Sequence, residues 1–179
     1  MNFIDQIEPN WTLFLDRDGV INKWLPGSYV ASWGMFEFEP GSINALKVLA
    51  QKFKYIIIVT NQRGIYKGIM SARDLDNVHD RMLDEIEANG GRIDQIFYCP
   101  HDNGHPDRKP ATGMLDKAKK EFPSIDFSKS IMIGDKNSDM EMAKSAGIYT
   151  VMVNKHDKHN DALIDIKCEN LMDFAKLLV

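Results

Sequence analysis

Tyr55-Ile56-Ile57-Ile58-Val59 is an unbroken apolar run with four β-branched residues in succession, and Thr60-Asn61 follows it directly. A strand with one face in water alternates apolar with polar residues. A run without alternation belongs to a strand covered on both faces, as in a parallel sheet between helix layers. Shorter runs of the same kind are Thr12-Leu13-Phe14-Leu15, Ile93 to Tyr98, Ser130-Ile131-Met132-Ile133 and Tyr149-Thr150-Val151-Met152-Val153. Helical patterns lie between and after them. Ser42 to Gln51 follows Pro40-Gly41. Ser71 to Asn89 opens on a plausible N-cap with Asp74 three residues on, and stops at Gly90-Gly91. Met114 to Phe122 stops at Pro123, Ser138 to Ala146 stops at Gly147, and Asn170 to Leu178 ends the series. Strands and helices alternate throughout. The expectation is an α/β fold, a doubly wound and mainly parallel sheet with helices on both faces.

Composition sets the outer limits. The 179 residues suit one domain, 1–179, with no repeat, low-complexity tract or linker. A net charge of −4 offers no footprint for nucleic acid or an anionic membrane. No apolar run approaches the length of a membrane span, and the acidic stretch Met1 to Asn10 is no secretory signal. Cys99 and Cys168 stand far apart and form no disulfide framework, which places the chain in a reducing cytoplasm. A monomer is the expected state.

Residues with chemistry follow the apolar runs. Asp16-Arg17-Asp18-Gly19 follows the first and Thr60-Asn61-Gln62-Arg63-Gly64 the second. Cys99-Pro100-His101, leading to Arg108-Lys109-Pro110, follows the third, and Gly134-Asp135-Lys136-Asn137-Ser138-Asp139 the fourth. In a Rossmann-like parallel sheet the C-terminal strand ends share one rim, where ligands bind. Together these groups read as a phosphoryl-transfer site. A carboxylate such as Asp16 can attack phosphorus. Asp16, Asp135 and Asp139 suit Mg2+, a hard cation that takes a few carboxylates plus phosphate oxygen and water; Asp139 is the less secure ligand, since it also suits the first turn of its helix. Lys109 supplies a second positive charge, and Thr60 a hydroxyl donor. Asp18 is placed to reach the leaving-group oxygen as general acid and then to serve as base, with Gly19 permitting the turn. Two acids after a strand also fit a capping turn; the matching strand ends are what favour a site. Arg17 reads as a structural or surface charge and His79 as a surface or satisfied histidine. The methionines read as core filler, and Cys168 as a buried, inert thiol. His156 and His159 are given no role.

The run Phe14-Leu15-Asp16-Arg17-Asp18-Gly19-Val20-Ile21-Asn22 resembles the first motif of the haloacid dehalogenase-like (HAD) phosphatases. Val59-Thr60-Asn61, Arg108-Lys109-Pro110 and Ile133 to Asp139 resemble the second, third and fourth, in the family's order. Within that superfamily the chain is similar to the branch of heptose bisphosphate and histidinol-phosphate phosphatases. Thr60 to Gly68 and Gly134-Asp135-Lys136 lean towards the heptose group. The resemblance implies a Mg2+-dependent hydrolase of a small phosphorylated sugar, with Asp16 as nucleophile and Asp18 as acid/base. It implies Mg2+ on Asp16, Asp135 and the Asp18 carbonyl, and phosphate on Thr60 and Lys109. Asn61, Gln62, Arg63, Arg108 and Lys136 would lie around the substrate. Histidinol phosphate is the alternative substrate.

The family often carries a zinc loop, and here the sequence departs from it. Cys99 and His101 remain, but His105-Pro106-Asp107 replaces the second pair of cysteines. Cys99, His101, His105 and Asp107 form a possible mixed site. A loop folding without zinc is preferred, because one soft thiolate is left. Only about forty residues separate Asp18 from Thr60, too few for a cap domain of about fifty residues or more beside the helix they contain. The aromatic loop 21–39, with Trp24, Tyr29 and Trp33, either closes over substrate or packs on the domain edge. Two other classes fit the residues less well. A receiver-like phosphorylated module lacks a leaving-group acid at the position of Asp18, and a nucleic-acid phosphatase would need a basic stripe.

Overall fold

All five apolar runs become strands of one six-stranded parallel sheet, in a computed structural model that describes residues 3–153 and 158–179. His156 therefore lies outside the described residues. The strands are β1 (Thr12–Leu15), β2 (Tyr55–Asn61), β3 (Gln95–Cys99), β4 (Ser130–Gly134), β5 (Tyr149–Met152) and β6 (Ile166–Lys167). Their order is β3-β2-β1-β4-β5-β6, with every pairing parallel. From β1 the sheet grows outward in both directions. The C-terminal end of β1, beside β4, is therefore the switch point where doubly wound sheets leave a crevice.

The helices are α1 (Ser42–Leu49), α2 (Ala72–Ala88), α3 (Gly113–Glu121), α4 (Asn137–Ser145) and α5 (Leu171–Lys176). They cover both faces. Leu13, Leu15, Ile56, Ile58, Ile131 and Ile133 pack with Leu46 and Leu49 of α1, Met82 and Ile86 of α2, and Phe174 of α5. The alternate residues Phe14, Ile57, Val59 and Met132 pack with Met114 and Leu115 of α3 and Met140 and Ala143 of α4. Ile56 to Val59 are each 0% exposed, which is why that run has no polar alternation. Each such side chain contributes about 1.5–3 kcal/mol of burial.

Ser71 caps α2 as its sequence predicts: its hydroxyl accepts from the Asp74 amide at 3.1 Å, and Asp74 Oδ2 accepts from the Ser71 amide at 2.8 Å. β6, two residues long, was not anticipated, because a two-residue strand has no period to read. Cys168, next to it, is half-buried rather than buried, since it sits at the sheet edge; both cysteines are free.

No cap domain covers the strand ends among the described residues. The loop 21–39 folds back on itself instead, pinned by Lys23 N to Glu37 O at 2.8 Å and Glu39 N to Ile21 O at 2.9 Å. Of the two alternatives its sequence leaves open, packing on the domain edge is seen, and part of the loop also lines the crevice. Trp33 stacks on Phe36, Phe36 meets Phe38 edge-on, and all three pack on the core, while residues 24–30 turn to the strand-end crevice. No described helix is long and apolar enough to cross a membrane.

Candidate active site

At the switch point Asp16 extends the β1 ladder by one residue, its amide donating to Ile133 O at 2.9 Å. Its carboxylate thus stands beside Asp135, which follows β4. Asp139 reaches back from the first turn of α4, its Oδ2 accepting from the Lys136 amide at 3.2 Å. Oxygen atoms of Asp16, Asp135 and Asp139 lie within 4.8 Å of one another, and the three residues are 6%, 3% and 0% exposed. Lys109 comes in from the loop after β3. Its Nζ lies 3.0 Å from Asp16 Oδ1 and 2.6 Å from Asp139 Oδ1, and donates to Val59 O at 2.9 Å. Two glycines leave the space. A Cβ on Gly19 would stand 2.3 Å from Asp135 Oδ2, and one on Gly134 2.4 Å from Asp139 Cβ.

Three carboxylates face one ammonium here, so charge is unbalanced. Burial, then the charges of Asp16 and Asp139, push the Asp135 carboxyl up to about 8. Burial likewise lifts Asp139, against the pull of Lys109. Burial would lower Lys109, but the Asp139 and Asp16 carboxylates outweigh it and hold the ammonium above the usual lysine range. A buried oxygen-only donor set with surplus negative charge fits a hard divalent cation such as Mg2+.

Asp18 occupies a different electrostatic setting. Its Oδ1 accepts from Arg17 Nη2 at 2.8 Å and Asn22 Nδ2 at 2.9 Å, and its Oδ2 from Arg17 Nη2 at 3.1 Å and Gln62 Nε2 at 2.9 Å. Burial would raise this carboxyl, yet the Arg17 charge and these donors bring it below the usual range. Arg17 is therefore no surface charge: it is fully buried, which settles its reading as structural. His79, 5% exposed, is satisfied rather than superficial, with Arg17 Nη1 at 3.0 Å from its Nε2. Thr60 Oγ1 accepts from Gln62 Nε2 at 3.0 Å.

The crevice above these groups has a volume of about 420 Å³. Asp16, Asp18, Asn61, Arg63, Lys67, Arg108, Lys109 and Lys136 all line it, and so does Ser138, which sequence reasoning did not place there. Two of its cations sit over rings of the loop 21–39: Lys136 is 5.0 Å from the Trp24 ring centre, and Lys67 is 5.4 Å from that of Tyr29. Arg63 pairs with Asp102 at 2.6 Å, and Arg108 Nε donates to Asn103 at 3.0 Å. Asn61 faces the crevice, but its amide is engaged with the Lys109 main chain, Nδ2 to the carbonyl at 3.2 Å and Oδ1 from the amide at 3.1 Å. Gln62 is buried and braces Asp18.

The loop from Cys99 to Asp107 does not present a ready zinc site. His105 Nδ1 accepts from the Asp107 amide at 3.1 Å, the Asp107 carboxylate pairs with Lys117 at 2.5 Å, and the His101 and His105 rings stack at 3.9 Å. Burial raises the Cys99 thiol and so disfavours a thiolate. Among the described residues, the aspartate trio is the group of three or more ligands with donor atoms gathered this closely.

The chain is similar to known proteins. A HAD-hydrolase-like family model matches residues 107–171. The D-glycero-alpha-D-manno-heptose-1,7-bisphosphate 7-phosphatase of Campylobacter jejuni is 39% identical over 166 residues, covering 92% of this chain and 95% of that protein. The corresponding beta-heptose 7-phosphatase of Rhodopseudomonas palustris is 40% identical over 144 residues, covering 75% and 78%. The crystal structure of D,D-heptose 1,7-bisphosphate phosphatase from B. bronchiseptica, complexed with magnesium and phosphate, superposes with a TM-score of 0.84 at 29% identity, covering 94% of this chain and 97% of that one. With its four motifs gathered at one rim, the chain belongs to the HAD-like phosphatases, in the branch of the heptose bisphosphate phosphatases.

Proposed function

We propose that this phosphatase hydrolyses the 7-phosphate of a D-glycero-D-manno-heptose 1,7-bisphosphate through a phosphorylated Asp16. One observation carries the reading: Asp16 gathers with the buried carboxylates of Asp135 and Asp139 beside the Lys109 ammonium, 3.0 Å from Asp16, at the floor of a crevice rimmed by cations. Asp16, Asp135 and the Asp18 carbonyl would hold Mg2+, with Asp139 acting through Lys109 and the cation's surroundings. When bound, the ion neutralises phosphate charge and orients it.

Lys109 and the Thr60 hydroxyl receive the phosphate oxygens of the transferring group. An Asp16 oxygen forms a bond to phosphorus as the bond from phosphorus to the sugar oxygen breaks. Asp18 gives a proton to that departing oxygen. Asp18 begins ionised in its frame of donors, and the arriving dianion raises its affinity for a solvent proton. In the second half Asp18 takes a proton from water as the water oxygen attacks phosphorus, which frees Asp16 and inorganic phosphate.

A bisphosphate also needs cations for its second phosphate, and Arg63, Lys67, Arg108 and Lys136 on the rim supply them. Histidinol phosphate, which brings its own positive charge, is the poorer match. Residues 1–179 work as one domain and as a monomer on a cytoplasmic sugar phosphate. Steady phosphate release from both heptose bisphosphate anomers and from histidinol phosphate tests the assignment. Asp16→Asn abolishes release and Asp18→Asn nearly does; wild-type turnover in Asp16→Asn would defeat the mechanism.

A further inference from the structure

Arg17 is among the largest fully buried side chains of the described residues. A guanidinium at such a position needs acceptors, because it cannot shed its charge. Nη2 spends its protons on both oxygens of Asp18. Nη1 lies 3.0 Å from His79 Nε2, and Nε has no acceptor among the described residues. Arginine nitrogens only donate, so the His79 Nε2 must accept and the ring proton must sit on Nδ1. Burial, then the Arg17 charge, push His79 down to about 3, so the ring stays neutral and keeps that lone pair.

The ring itself is held in place. His79 lies on the buried face of α2 with Leu75, Val78, Met82 and Ile86, and meets Tyr98 edge-on with ring centres 6.2 Å apart. The chain of contacts thus runs from a rigid helix face to a guanidinium and on to a carboxylate that lines the crevice. We propose that His79 is a positioning residue for the reaction: by accepting from Arg17 it fixes the guanidinium that sets the rotamer of Asp18. The inference rests on the role given above to Asp18.

Two variants and one spectrum test it. His79→Phe keeps the bulk and removes the acceptor, while His79→Gln keeps an acceptor oxygen. Loosening a group that transfers protons lowers kcat by about tenfold or more, a fraction of the roughly 10²–10⁴ that such catalysis provides. Asp18 does not hold phosphate, so KM stays within about twofold. The expected result is a folded His79→Phe enzyme with that split, and a His79→Gln enzyme that recovers most of kcat. Nitrogen-15 spectra of the wild-type protein show His79 neutral and protonated on Nδ1. Wild-type kcat in His79→Phe, a parallel loss of kcat and KM, or no rescue by folded His79→Gln overturns the inference. So does a wild-type ring protonated on Nε2, which decides the matter even where His79→Phe fails to fold. Asp18→Asn is measured alongside. If it keeps turnover, the role of Asp18 falls; if it is dead while folded His79→Phe keeps the wild-type kcat, only His79 is misassigned.

Discussion

Gly19→Ala should disable the enzyme through Asp135 rather than through the turn it sits in. A Cβ at Gly19 would lie 2.3 Å from Asp135 Oδ2 and 2.6 Å from its Cγ, whereas ordinary contact starts near 3.4 Å. The carboxylate must therefore retreat by about 1 Å, and at 3% exposure it has no solvent to retreat into. Misplacement of that size around a reacting centre costs about 10²-fold in rate. The backbone adds its own penalty: φ at Gly19 is +87°, a left-handed conformation that costs a residue with a Cβ about 1–2 kcal/mol. Gly147→Ala separates the two effects, since Gly147 has φ +75° and nothing within 4 Å of the added Cβ. Urea unfolding should show both variants weakened by about 1–2 kcal/mol from the backbone. Only Gly19→Ala should also lose about 10²-fold in kcat/KM and need more Mg2+ for half-maximal activity. A folded Gly19→Ala enzyme with the wild-type Mg2+ response would refute the reasoning, because it would mean Asp135 is not held where the cation needs it.

The other predictions follow from charge. Asp135 is raised in the folded state, so the metal-free protein retains a proton that the unfolded chain has lost, and stability falls as pH climbs from the ordinary carboxylate range towards about 8. Asp135 alone contributes a slope of at most about 1.4 kcal/mol per pH unit, and thermal melts with Mg2+ should flatten it. Lys109→Met leaves the buried carboxylates of Asp16 and Asp139 without their ammonium. Chemical unfolding should show a loss of about 3–5 kcal/mol, part of it recovered by Mg2+. Lys136→Met removes a rim cation held over Trp24 and should raise KM for the bisphosphate by about tenfold, the worth of roughly one to 1.4 kcal/mol, with kcat kept. A monophosphate substrate should show much less of this rise.

Most of the frame was legible because it is periodic. The run Tyr55 to Val59 has no alternation because helices cover both its faces, and the strand ends inherit their common rim from parallel pairing. Asn61 and Gln62 were harder. Side chains alternate along extended backbone, so Thr60 and Gln62 share one side and meet at 3.0 Å, while Asn61 turns to the Lys109 main chain. Adjacent letters in one motif thus serve different partners. His79 did leave a signal: Leu75, Val78, His79, Met82 and Ile86 follow a helical stripe, and a histidine on an apolar stripe needs a buried partner. That partner, Arg17, lies in a turn with no period, 62 residues away, so no local pattern could pair them. The space taken up by Gly134 was invisible for the same reason, since it is occupied by a side chain from the next helix.

The two halves of the site differ in a way that orders its ligands. On one side Arg17 matches Asp18 charge for charge, and Asn22 and Gln62 complete its shell, so this half is neutral before anything binds. On the other, Lys109 bridges Asp16 and Asp139 while Asp135 adds a third carboxylate, and burial keeps water from screening the surplus. A phosphate dianion approaching Asp16 would meet that surplus at close range, and like charges in a dry site repel strongly. The rim cations steer the substrate inward, and Lys136 offsets part of the charge on Asp135, but burial and the neighbouring carboxylates still outweigh it. A divalent cation in the cluster removes the repulsion. The expected order is therefore cation first and phosphate second, and calorimetry checks it: inorganic phosphate should bind measurably tighter once Mg2+ is present, and equal binding without Mg2+ would refute it.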